Sequence, residues 1–149
     1  MRIHIGSDHA GLELKAELVK HLTANGHDVT DHGPHEYDAL DDYPDFCIPA
    51  AEAVARDPTS LGIVLGGSGN GEQMAANKVK GIRAALAWSI ETAKLARDHN
   101  NANVIAVGGR MHEISFVKEI IDTFIASPFS NDERHIRRIK KISDFENKG

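Results

Sequence analysis

At 149 residues, with 41% hydrophobic and 26% charged side chains, the chain has the size and mix of one soluble globular domain, 1–149. A net charge of −5 argues against broad attraction to nucleic acid or an anionic membrane, and the lone Cys47 excludes an internal disulfide and fits a reducing compartment. No apolar run approaches the ~18 residues of a membrane helix. Met1-Arg2-Ile3-His4-Ile5-Gly6 enters a strand at once, leaving no room for a signal peptide, so the cytoplasm is the expected location.

The pattern opens on a strand near 2–6, then polar Ser7-Asp8-His9, a helix near 11–24 and a second strand near 28–32. Asp31 to Pro44 is the longest irregular stretch and reads as a mobile lip. A helix near 44–57, a strand near 61–66, a glycine-rich loop and a helix near 71–79 follow. Strands near 82–88 and 103–108 then alternate with helices near 90–99 and 113–126, and a last helix covers 132–146. There is no internal repeat, low-complexity tract or linker. Strand–helix alternation with short links predicts a parallel sheet covered on both faces. Ligands of such sheets bind beyond the carboxyl ends of the strands. The candidate site walls are therefore Ser7-Asp8-His9, Gly66 to Glu72, Trp88-Ser89 and Gly108-Gly109-Arg110.

The most informative stretch is Leu65-Gly66-Gly67-Ser68-Gly69-Asn70-Gly71-Glu72, between the third strand and its helix. Its glycines let the backbone fold tightly and turn several N–H groups toward one point, to which the helix N-terminus adds unpaired donors and partial positive charge. Such a loop suits an anion or a developing oxyanion. Glu72 sits at its edge, placed to take a proton from a bound substrate. The Gly67-x-Gly69-x-Gly71 spacing is a weak match to a dinucleotide fingerprint, which belongs after a first strand with an acid closing the next. Here the loop follows the third strand, and no Gly-Lys-Ser/Thr is present for a nucleotide phosphate loop.

Other candidates are weaker singly. Asp8-His9 is either an N-cap with a solvent-facing histidine or an acid/base and phosphate-binding pair. Arg134, Arg137 and Arg138 share a helix face, which is either a solvated basic stripe or, with Arg110, a set of forked donors for a phosphate dianion. His99 closes a helix that starts beyond a strand, so it lies at the sheet edge opposite the glycine loop. It is an ordinary helix end, or it serves a neighbouring subunit. Asp31 to Asp38 is rich in ligand-type residues but lacks the spacing of a zinc or calcium site, so no metal is expected. Cys47 falls among alanines and apolar residues of a helix and reads as a buried, inert thiol.

Taken together, these segments resemble the ribose-5-phosphate isomerase type B family, with its galactose- and allose-6-phosphate isomerase relatives. The resemblance rests on Gly6-Ser7-Asp8-His9-Ala10-Gly11, Asp42-Tyr43-Pro44, Gly66 to Gly71, Ala75-Ala76-Asn77-Lys78, His99-Asn100, Gly108-Gly109-Arg110, Arg134-His135 and Arg137-Arg138. It is nearest the actinobacterial branch, where Gly-Asn-Gly-Glu supplies a glutamate base; the other branch has a cysteine base where this chain has Gly66. The resemblance implies a three-layer α/β/α sandwich with a five-stranded parallel, Rossmann-like sheet. It also implies interconversion of D-ribose 5-phosphate and D-ribulose 5-phosphate with no cofactor or metal, in a homodimer or tetramer whose sites are shared between subunits. Asp8 and His99 would assist ring opening, and Glu72 would move a proton between C2 and C1 through a cis-enediolate. N–H groups across Gly67, Gly69, Asn70 and Gly71 would stabilise that intermediate, with Ser68 handling hydroxyl protons. His9, Arg110, Arg134 and Arg138 would hold the phosphate, and Tyr43 and Asn100 would line the sugar pocket. Two other readings stand beside this one: a phosphosugar- or nucleotide-binding module without catalysis, and one subunit of a heteromeric galactose-6-phosphate isomerase.

Overall fold

Strands β1 (Arg2–Ser7), β3 (Leu61–Gly66) and β5 (Val104–Gly108) form the middle of a five-stranded, all-parallel sheet in the computed structural model, which describes all 149 residues. β2 (Asp28–Asp31) and β4 (Ala84–Leu86) are the edges, giving the order β2-β1-β3-β5-β4. Every residue of β3 and β5 is buried, which is why both read as unbroken apolar runs rather than alternating ones. The register sets Ser7 beside Leu65 and Gly66 beside Gly108. Three strands thus end level, and the loops that follow them emerge at one edge.

Two helical layers cover the sheet. Helices α1 (Leu12–Ala24), α4 (Ile90–Asp98) and α5 (Ile114–Ala126) pack Leu18, Leu22, Ala93, Ile120 and Phe124 onto Ile3, Ile5, Ile63, Leu65 and Ile105. On the other face, α2 (Pro44–Arg56) and α3 (Asn70–Asn77) set Cys47, Ala50, Ala51, Val54 and Ala76 against Val64, Val104 and Ala106. Small residues let α2 come close: a Cβ on Gly6 would lie within 2.5 Å of the Phe46 carbonyl oxygen. The three-layer architecture is the expected one. Helix α6 (Glu133–Glu146) stands apart, with His135 its one buried residue and Ile136, Ile142 and Phe145 exposed. No helix is long and apolar enough to cross a membrane.

The irregular stretch after β2 is anchored at several points. Gly33 accepts from the Ser7 N–H at 3.1 Å, and the buried Lys15 ammonium binds the Pro34 carbonyl at 2.7 Å and the Asp31 carboxylate at 2.7 Å. Asp31 is thereby committed to an ion pair rather than available to a metal.

β4 is shorter than the apolar run 82–88 predicts. Arg83 and Ala87 still bond to the β5 side (Asn103 N–H to Arg83 O at 3.1 Å, Ala87 N–H to Ala106 O at 3.0 Å), but the outward-facing groups of Ala84 meet a side chain instead of a strand. Asn77 accepts from the Ala84 N–H at 2.8 Å and donates to its carbonyl at 3.0 Å, with Gln73 donating to the same oxygen at 3.2 Å. Asn77→Ala removes two hydrogen bonds from this backbone unit, leaving the Ala84 N–H without a partner and its carbonyl with Gln73 alone. It is expected to lower stability by about 1–3 kcal/mol, read as a lower urea midpoint at unchanged slope.

Candidate active site

The glycine loop is held from both sides. Gly69 adopts φ +86°, the left-handed conformation that starts α3, and a side chain on it would strike Leu86 and the β5 backbone. Gly108 backs directly onto the main chain of Ser68. The loop after β5 is tied in by hydrogen bonds from Gly109 N–H to Gly66 O (2.7 Å) and from Arg110 N–H to Gly67 O (3.1 Å). The N–H groups of Gly67, Ser68, Gly69 and Gly71 find no backbone acceptor, while that of Asn70 is taken by Ser68 Oγ at 3.3 Å. Unpaired donors at a helix start form an anion-binding cradle.

Glu72 lies in the first turn of α3, only 3% exposed. Its carboxylate fills the space where a side chain on Gly66 would sit; a Cβ there would overlap Glu72 Oε1 outright. Burial pushes its pKa above the ordinary glutamate value, opposed by a hydrogen bond from its own backbone N–H and reinforced by the negative charge of Asp8. Burial therefore outweighs the backbone hydrogen bond, and the carboxyl is neither spent in an ion pair nor fully solvated. Cys47 is fully buried, and burial, then the charges of Glu72 and Asp8, push its thiol far up. It stays protonated, as its alanine-rich setting implies.

Around Glu72 opens a cavity of about 500 Å³, lined among others by Asp8, His9, Tyr43, Ser68 and Arg110. Asp8 both caps and lines: Oδ1 accepts from the N–H groups of Ala10 (2.9 Å) and Gly11 (3.3 Å), and the residue faces the cavity. Tyr43 packs its ring over Gly71, and the Arg110 guanidinium runs over Gly67, where a Cβ would come within 3.4 Å of Nη1. Gly67 and Gly71 line the cavity, whereas Gly69 is turned inward and Asn70 lies outside the lining. Asp8, His9 and Asp41 bring three potential ligand atoms within 4.8 Å of one another. Two of those atoms are already bonded to each other, His9 Nδ1 and Asp41 Oδ1 at 2.6 Å, so the cluster is a hydrogen-bonded one.

His99 and Asn100 are not part of this cavity. His99 ends α4 and is 47% exposed, its ring 4.4 Å from that of the buried His135. With Asn100, Arg138 and the apolar side of α6 they line a separate hollow of about 170 Å³. Arg134 points along the same helix, exposed, near Asp132 at 3.8 Å. The Trp88-Ser89 loop also lies elsewhere, contrary to expectation. Ser89 caps α4 in a capping box with Thr92, and Trp88 faces the groove beside β4.

Residues 3–142 match the Ribose/Galactose Isomerase family. The chain belongs to that family. It is 58% identical over 146 residues to the ribose-5-phosphate isomerase B of Mycolicibacterium paratuberculosis, covering 98% of this chain and 92% of that one. The Mycobacterium tuberculosis protein of the same name is 56% identical over 146 residues, with 98% and 90% covered. The crystal structure of ribose-5-phosphate isomerase B from Mycoplasma genitalium with bound ribulose 5-phosphate superposes with a TM-score of 0.96 at 45% identity, covering 99% of this chain and 97% of that chain.

The resemblance implies a base at position 72 or, as a cysteine, at position 66. Glu72 and a side chain at position 66 would overlap, so this chain has room for only one of them. Sequence reading missed two neighbours of the site. Asp41 was hidden in a stretch read as a lip, and His135 was one of a run of polar residues; only its place beside Arg134 marked it.

Because the folded state raises the Glu72 pKa above the ordinary 4.5, its contribution to stability is greatest below that value and is lost as pH rises through the folded pKa. Glu72→Gln is therefore expected to melt higher than wild type at pH 7, with the gap closing toward pH 4. Equal melting temperatures across that range would contradict a strained ionised carboxylate.

Proposed function

We propose that this chain is an aldose–ketose isomerase that interconverts D-ribose 5-phosphate and D-ribulose 5-phosphate, a step of the non-oxidative pentose phosphate pathway. The observation that carries the reading is the buried Glu72 carboxylate next to the open N–H cradle of Gly67 to Gly71, in one cavity with His9 and Arg110. A binding module would gain nothing from an unpaired carboxylate beside an anion. An enolising enzyme needs both, one to take the proton and the other to hold the charge that appears when it leaves. The relative from Mycoplasma genitalium, crystallised with ribulose 5-phosphate, supports a five-carbon sugar phosphate as substrate.

In the proposed reaction, Asp8 and His99 relay protons that open the furanose ring. Glu72 removes the C2 proton of the open aldose, giving a cis-enediolate whose oxyanion lies against the N–H groups of Gly67, Ser68 and Gly71. The same carboxyl returns the proton to C1, while the Ser68 hydroxyl carries protons between O1 and O2. His9 and Arg110 hold the phosphate from one subunit and Arg134 and Arg138 from the other. Tyr43 and Asn100 flank the sugar. The reaction so written uses side chains and backbone alone, and a chain with one buried thiol suits the reducing cytoplasm.

A homodimer accounts for the division of these residues between two cavities. A groove of about 660 Å³ lined by Ile82, Leu86, Trp88 and Ile139 shares Asn100, Ile139 and Ile142 with the His99 hollow, and Trp88 and Ile142 are 59% and 57% exposed. A second copy seated on this apolar surface would carry each His99 toward the Glu72 of its partner, and two-fold symmetry would make two sites.

Purified protein is expected to isomerise ribose 5-phosphate in preference to six-carbon sugar phosphates. Glu72→Gln should lower kcat by roughly 10²–10⁴ with substrate binding retained, whereas Cys47→Ala should leave kcat near wild type. Mixing the inactive variants His99→Asn and Glu72→Gln tests the shared site. After subunit exchange, half of the heterodimer's sites carry both defects and half carry none, so activity should return; a mixture that stays dead despite exchange rules out the placement in trans. Truncating Arg134 or Arg138 to alanine should weaken binding of ribose 5-phosphate far more than that of ribose, and equal losses would reduce them to a solvated face.

A further inference from the structure

One buried acid at this site has no part in the reaction just described. Asp41 lies in the irregular stretch between β2 and α2, in a turn closed by its own N–H to Asp38 O at 3.0 Å. Its side chain is only 7% exposed. Oδ1 accepts twice from one residue, from the His9 ring Nδ1 at 2.6 Å and from the His9 backbone N–H at 3.0 Å. Oδ2 is buried with no hydrogen-bond partner. A carboxylate held out of water in this way is costly unless its charge is used locally. The one ring beside it is that of His9, whose other flank meets the edge of Tyr37 at 5.9 Å and 88°.

We propose that Asp41 is the positioning residue of the phosphate anchor, acting through His9. The proposal rests on the reading that His9 meets the substrate phosphate. With Nδ1–H given to Asp41, the ring has only Nε2 left to offer, and His9 lines the cavity alongside Arg110. To donate to a phosphate dianion, Nε2 must carry a proton as well, so the ring is then an imidazolium. Asp41 supplies the counter-charge on its far side and accepts one of its two protons in a charge-assisted bond. The backbone bond at the same oxygen fixes where that ring sits. A ring held by Asp41 and Tyr37 is aimed before the ligand arrives, so less ordering is spent on binding. A neutral acceptor of the same shape would keep the aim and lose the charge. Asp41 itself touches no reacting atom, so it belongs with binding and not with proton transfer at carbon.

The test compares wild type, His9→Ala, Asp41→Asn and the double variant, using inorganic phosphate as competitive inhibitor and ribose 5-phosphate as substrate. Asp41→Asn is expected to weaken phosphate inhibition and raise KM by about tenfold or more, the worth of a charged hydrogen bond, with kcat at saturation within about threefold of wild type. The double variant should bind phosphate no worse than His9→Ala alone, since Asp41 acts only through that ring. Asp41→Glu should recover part of the loss. In the free wild-type protein, nitrogen–proton correlation spectra should show His9 protonated at Nδ1. Additive losses in the double variant, a fall in kcat with KM unchanged, or a bare Nδ1 would overturn the proposal. If His9→Ala leaves phosphate inhibition intact while the wild type isomerises ribose 5-phosphate, the phosphate role of His9 falls and the Asp41 proposal with it. Absence of isomerase activity in the wild type would instead strike the functional reading itself.

Discussion

Much of the site follows from one packing constraint: the Glu72 carboxylate occupies the side-chain space of residue 66. For that to hold, position 66 must be glycine, and the chain must turn back sharply enough that α3 begins within a few residues of the end of β3. Gly69 makes that turn, and Gly108 lets β5 press against it from below. The result is a carboxylate driven into the interior by its own helix, where removal of water raises its proton affinity. The same tight turn leaves the N–H groups of Gly67, Ser68 and Gly71 without a backbone acceptor, and these three residues line the cavity. The buried carboxylate and the unpaired N–H groups are therefore two outcomes of a single backbone path, not two features assembled separately.

The surrounding fold exists to keep that path from relaxing. Strand register brings Ser7, Gly66 and Gly108 to one level, so Asp8 and Arg110 arrive at the cavity from the strands on either side of β3. On the α2 face of the sheet Gly6 and Ala106 stand among Val64 and Val104, and the close approach of α2 brings Cys47 within reach of the charges of Glu72 and Asp8 and Tyr43 over Gly71. Asp8 stands at the Glu72 end, where its negative charge adds to burial in raising the proton affinity of Glu72. Arginines sit at its rim and on α6. That separation of sign suits a ligand with a reacting carbon at one end and a dianion at the other.

The fold was largely legible in the sequence because its signals are local. Buried central strands announce themselves as runs such as Leu61 to Leu65, and the glycine loop is visible from its spacing. The helix-end geometry that separates His99 from Glu72 followed from chain direction alone. What stayed hidden depends on partners distant in the chain. Asn77 answers the outward-facing backbone groups of Ala84, a contact that no propensity reports. Asp41 lies 32 residues from His9, in a stretch whose turn-forming composition gave no hint of a fixed contact. The Trp88-Ser89 loop was misplaced because strand ends are not equivalent: an edge strand opens onto the side of the sheet, a central one onto the crevice.

The side-chain amide on Ala84 has a consequence for assembly. An edge strand with free N–H and C=O groups is an invitation to add further strands, and growth by that route has no natural stopping point. Asn77 and Gln73 answer both backbone groups of Ala84 from within the chain. Trp88 and Ile142 lie exposed beside this edge. The amide thus closes this stretch of an open-ended edge from within the chain, and growth by added strands has no purchase there.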